Sequence, residues 1–90
     1  MSAVQPQDKR LAEAVAVLIE AIHREVPASS IRPLPPYDDE DFTLEVRIPA
    51  GLDRETVMDF CLRQALAVED QFGFLILTRV KPAATTETTT

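Results

Sequence analysis

Four consecutive acids, Asp38, Asp39, Glu40 and Asp41, are the densest group of ionisable side chains in this sequence. Several carboxylate oxygens close together are what a hard cation such as Ca²⁺ or Mg²⁺ takes as ligands. The spacing does not suit one. Calcium loops place their ligands at alternating positions around a central glycine and end on a distal glutamate, an order this run lacks. The run is therefore expected to be a solvated stretch that ends a connector. Nor do neighbouring acids alone make a hydrolase, which needs a fixed carboxylate separation and a pocket that shifts one pKa.

The other candidates are single residues or short turns. Pro49-Ala50-Gly51-Leu52-Asp53 stands where a phosphate-binding turn would open a helix, but it has one glycine and no lysine, and Asp53 and Glu55 occupy the positive end of the helix dipole. His23 has no second histidine or cysteine near it in sequence and reads as a boundary residue of a helix. Cys61, the single cysteine, falls on an apolar helix face and reads as a small buried hydrophobe, not a nucleophile. Arg32-Pro33-Leu34-Pro35-Pro36-Tyr37 has the composition of a polyproline ligand for an aromatic groove, although the acids after it would repel an acidic arginine pocket. A stiff connector is the better reading. No catalytic residue, metal ligand or cofactor site is expected, and the chain is read as not an enzyme.

The elements that would position these residues are legible from periodicity. Leu11, Ala14, Val15, Leu18, Ile19 and Ile22 recur at helical spacing and predict an amphipathic helix over 8–25, stopped by Pro27. Alanines 12, 14, 16 and 21 keep its surface low. Residues 27–41 carry four prolines and are expected to be an extended connector. Phe42, Leu44, Val46 and Ile48 alternate with Thr43, Glu45 and Arg47, predicting a strand over 42–48 with one buried and one polar face.

A helix over 54–72 comes next, with Asp53 as N-cap, Leu52 placed to staple onto Val57, and Gly73 as left-handed C-cap. Val57, Met58, Cys61, Leu62, Ala65, Val68 and Phe72 are expected on its buried face. A strand over 74–80 completes the pattern, between a flexible N-terminus at 1–7 and a threonine-rich tail at 82–90 too polar to fold. The expected fold is one small α/β (α+β) domain of order α-β-α-β. Its right-handed βαβ unit would be completed by dimerisation, and whether the two strands are adjacent stays open.

Ninety residues hold one modest core, with no disulfide or zinc staple to support it. The lack of a disulfide framework and of signal-peptide features at Met1–Arg10 points to the cytoplasm, and no apolar run is long enough to span a bilayer. Most of the formal charge of −6 sits in the acidic run, while the nine Lys and Arg residues are scattered along the chain. Both features argue against nucleic acid as a partner.

The segment Phe74-Leu75-Ile76-Leu77-Thr78-Arg79-Val80 begins apolar on both faces, so something must cover Leu75 and Leu77: the first helix or a second copy of the chain. The functional expectation is a small non-catalytic protein–protein interaction module that self-associates as a dimer, its seam including Leu75, Leu77, Arg79, Arg47 and Glu45, with another protein as a possible further partner. The competing expectation is a regulatory domain that binds a small metabolite, or an enzyme site assembled at a subunit seam.

Overall fold

A computed structural model describes residues 6–35 and 39–82. The first helix, α1, spans Pro6–Glu25 and begins on a proline, whose missing N–H and fixed φ suit the first helical position. Its Ala14, Leu18 and Ile22 are fully buried, as the apolar stripe requires. The last turn closes with the Val26 amide donating to the Ile22 carbonyl at 2.7 Å, and Pro27 ends the helix. The Ser29 amide and hydroxyl then both donate to the Val26 carbonyl, at 3.0 and 2.8 Å, and turn the chain back.

The segment after this turn departs from the expected connector. Residues Ser30–Leu34 form a strand, β1, antiparallel to β2 (Phe42–Ile48), so the order is α-β-β-α-β and not α-β-α-β. Pro33 argued against a strand because it cannot donate to a ladder. β1 is the outermost strand, where an absent donor can face away from the sheet, so the proline is tolerated.

The second helix, α2, spans Arg54–Phe72 and leads into β3 (Ile76–Pro82), which lies parallel to β2 and next to it. The two strands of the βαβ unit are thus adjacent, and the sheet order β1-β2-β3 makes β2 central. Gly73 takes φ +83° and its amide donates to the Glu69 carbonyl at 2.7 Å, the left-handed cap that ends α2. The ladder starts at Ile76 opposite Phe42, two residues later than expected, because the cap and Phe74 carry the chain from helix to sheet. Asp41 fastens this entry from both sides. Its amide donates to the Leu75 carbonyl and its carboxylate accepts from the Leu75 amide, each at 2.8 Å.

Both helices pack on one face of the sheet, antiparallel to each other. Near the start of α1, Arg10 donates to the carbonyl of Phe72 at the end of α2 (3.2 Å), with its guanidinium 5.4 Å from that ring. This contact combines a cation at a helix C-terminus with a cation–π pair. Ala14 of α1 and Cys61 and Ala65 of α2 are buried, so part of the low alanine surface serves packing within the chain. Leu44, Val46 and Ile48 of β2, with Ile76 and Val80 of β3, face the helices and complete the core. The expected N-terminal segment is described only from Pro6, where it is helical, and residues 83–90 of the expected tail lie outside the described residues.

Leu44 has no exposed surface and sits in the middle of the central strand. Leu44→Ala is expected to cost about 2–5 kcal/mol, comparable to the whole stability of so small a core. Urea unfolding followed by circular dichroism should show the variant largely unfolded without denaturant; a midpoint within error of wild type would contradict the packing described.

Candidate functional site

Register assigns the outer side chains of the sheet to three cross-strand rows. Leu34, Thr43 and Leu77 make the first, Arg32, Glu45 and Arg79 the second, and Ser30, Arg47 and Lys81 the third. Neither helix packs on this face. The nine basic residues, scattered in sequence, are therefore not all scattered in space, for Arg32, Arg47, Arg79 and Lys81 share one face.

Glu45 is at the centre of that group with its side chain only 3% exposed. Its Oε1 accepts from Arg32 Nε at 2.7 Å and from Arg47 Nε at 3.0 Å, and Lys81 Nζ lies 3.6 Å from Oε2. The hydrogen bonds from Arg32 and then Arg47 outweigh the opposing effect of burial and hold the Glu45 carboxyl at about 2, well below its ordinary 4.5. Glu45 therefore acts beneath the surface by setting the positions of cations. Arg32 and Lys81, which complete this group, lie in segments read as connector and strand end; only their cross-strand register could have revealed them.

The second feature is the β3 margin. Leu75 and Leu77 remain 43% and 41% exposed, so the first helix does not cover them. Beside them α2 departs from expectation. Val57, Cys61, Ala65 and Val68 are buried, whereas Met58 and Leu62, expected on the same face, are 42% and 54% exposed and continue to Leu66 at 52%. Successive helical residues are about 100° apart, so the row Met58, Leu62, Leu66 turns away from the core and looks past β3. Met58, Leu62 and Leu77 line one shallow groove of about 410 Å³, with Glu55 and Asp59 at its rim. Among the described residues no strand lies beyond β3, and Arg54 Nε, donating to the Val80 carbonyl at 2.9 Å, covers one point of its edge.

The third feature is a hollow of about 560 Å³ between the end of α1 and the Pro49–Asp53 turn, lined by Val26, Pro27, Pro49, Leu52, Val57 and Phe60 among others. Leu52, expected to staple onto Val57, is 45% exposed, and the two residues line this hollow together. Asp53 is at the N-cap but accepts from the Thr56 hydroxyl at 2.5 Å and makes no side-chain bond to a helix amide. With these carboxylates at the helix start, the turn has nothing that would draw a phosphate.

The remaining candidates are accounted for by packing. Burial pushes the Cys61 thiol up to about 11, far from a reactive thiolate. His23 Nε2 lies 3.2 Å from the Ser29 carbonyl, bracing the turn after α1. The acidic run is less solvated than expected. Asp39 is exposed, but Glu40 is buried and accepts from the Thr43 hydroxyl at 2.6 Å, and Asp41 holds Leu75. The remainder of the run, Asp38, together with Pro36 and Tyr37 of the proline-rich stretch, lies outside the described residues. Among the described residues no three His, Cys, Asp or Glu side chains converge, and no helix is long and apolar enough to cross a membrane.

No protein-family model, curated protein or solved structure matches the chain.

A carboxyl held below its unfolded value adds stability that is fully present above about pH 4.5 and is lost as pH falls towards 2. Glu45→Gln should remove this component, so that the variant is less stable than wild type at neutral pH and the difference shrinks through that window. Urea midpoints at a series of pH values, with carboxyl carbon shifts read by NMR, check it. A Glu45 carboxyl titrating near 4.5 would contradict the cation cluster.

Proposed function

We propose that this chain is a small non-catalytic interaction module that self-associates through the β3 margin. One observation carries the reading. Met58, Leu62 and Leu66 of α2 and Leu75 and Leu77 of β3, all 41–54% exposed, flank a strand edge that is unpaired among the described residues. Clusters of large, half-exposed apolar side chains beside an open edge are characteristic of association surfaces.

The occupant of that margin is a second copy of the chain. A two-fold axis beside β3 sets the strand antiparallel to itself, pairs its outward backbone groups and brings the α2 rows together. Six strands then form one sheet, and each chain removes the remaining exposed surface of five apolar side chains from water. At half exposure each contributes about 1 kcal/mol. Residues 76–78 form the middle of the seam, since Arg54 already occupies the Val80 carbonyl. In this reading Leu75 and Leu77 are contact residues, Arg79 lies close to the seam, and Arg47 and Glu45 lie behind it on the sheet face.

Sedimentation equilibrium at tens of micromolar should give about 20 kDa, twice the chain mass of 10.0 kDa. Leu62→Arg combined with Leu77→Arg should return it to the chain mass with its circular dichroism retained, because both side chains are already half exposed in the protomer. A wild-type chain that sediments as a monomer up to millimolar concentration overturns the proposal.

A further inference from the structure

We propose that the outer face of the sheet docks an acidic segment of a partner protein, with carboxylates across Arg32, Arg47 and Lys81 and an apolar side chain beside Leu34. Among the described residues Arg32, Arg47 and Lys81 surround the one carboxylate of Glu45, so this group carries net positive charge in a chain whose formal charge is −6. A positive patch against an acidic background selects the sign of its partner, both at encounter and in the bound complex.

The cations are also held in place. Arg32 and Arg47 both reach Glu45 through Nε, at 2.7 and 3.0 Å, and Lys81 approaches the other oxygen. The terminal fork of a guanidinium is the part that grips a carboxylate in bidentate fashion. Their side chains stay accessible, at 62% for Arg32, 47% for Lys81 and 33% for Arg47. Glu45 therefore does for the empty face what a ligand carboxylate would do for an occupied one, and lowers the entropic cost of arranging the cations.

The shape and composition of the face select a peptide over the other polyanions. The cations lie in two adjacent rows on the face of a sheet, spread along strands and not gathered at a turn of backbone amides such as encloses a single phosphate. None of the side chains in the three rows is aromatic, so these rows offer no platform on which bases could stack. Leu34, in the row beside the cations, matches a segment that carries a leucine-like side chain next to its acids. This docking surface stands on Arg32, Arg47 and Lys81, which the seam does not use.

The test is fluorescence anisotropy with the full chain and a labelled peptide in which a leucine pair precedes a run of glutamates. Saturable binding that weakens with added salt is expected, with none to the same peptide carrying glutamine for glutamate. Arg32→Gln combined with Lys81→Gln should weaken binding about three- to tenfold, while Arg47 still holds Glu45, so that the variant stays folded by circular dichroism at a lower urea midpoint and its sedimented mass stays as in wild type. Glu45→Gln, if folded, should bind more tightly, because the internal competitor for the cations is gone; a purely structural cluster would show no such gain. Absence of saturable peptide binding overturns the proposal, as does binding insensitive to the Arg32 and Lys81 changes. Equal or tighter binding of a single-stranded oligonucleotide overturns it in favour of nucleic acid. The sedimented mass reports on self-association alone, so the two proposals fail separately.

Discussion

The central strand has to be enclosed on two faces in a protein with one helical layer. On the inner side Leu44, Val46 and Ile48 meet α1 and α2, an ordinary apolar solution. On the outer side no helix among the described residues forms a layer, yet Thr43 and Glu45 retain only 1% and 2% of their surface. Leu34 and Leu77 flank Thr43 in register, and Arg32, Arg47 and Lys81 close around Glu45. An ionised carboxylate so covered is tolerable only with counter-charges in hydrogen-bond contact, and Arg32 and Arg47 provide them. The arrangement also fixes register. A one-residue slip that turned β2 over would carry Glu45 and Arg47 toward the apolar core and leave Arg32 and Lys81 on the other face, so that pairing would bury charge away from its partners.

The local elements are legible in the sequence and the cross-strand ones are hidden. α2 can be read because Asp53, the buried row from Val57 and the Gly73 cap agree with one another, and β2 because its alternation is unbroken. β1 is concealed by Pro33, since proline is foreign to central strands and nothing in the local sequence says that this strand is an edge. The cation group is concealed for a different reason. Residues 32, 45, 47, 79 and 81 are brought together only by an antiparallel and a parallel pairing, and the first of these requires the strand that Pro33 hides. Met58 and Leu62 have the spacing of core residues because composition gives the width of an apolar helix face but not how much of it the sheet covers.

The same hidden pairing changes the meaning of the acidic run. Read as a string, Asp38 to Asp41 is charge density without ligand order. In the fold Glu40 is buried against Thr43, and Asp41 fastens the chain where it enters β3. Two members of the run therefore hold the ends of β2 and β3 in register, beside the row that carries Leu77. Their chemistry is spent on the sheet, which leaves the arginines and the lysine of the neighbouring rows as the charges directed outward.

Charge and apolarity are thus sorted onto different parts of one sheet, and this sorting decides how copies of the chain can meet. Face-to-face stacking of two sheets would bring the Arg32, Arg47 and Lys81 cations of one protomer over those of the other, with the two Glu45 carboxylates between them. Like charges set against each other across an interface cost several kcal/mol, so that geometry is disfavoured at ordinary ionic strength. The β3 margin has the opposite character. Its leucines and methionine carry no charge, and Glu55 and Asp59 lie at the rim of the groove, where solvent screens them. Edge-to-edge pairing would therefore keep the cation rows apart in space while making the sheet continuous, and would leave the outer face uncovered by the second copy. Self-association and capture of an acidic segment are compatible on these grounds: the charges that would drive two sheet faces apart are the ones that an acidic partner would neutralise.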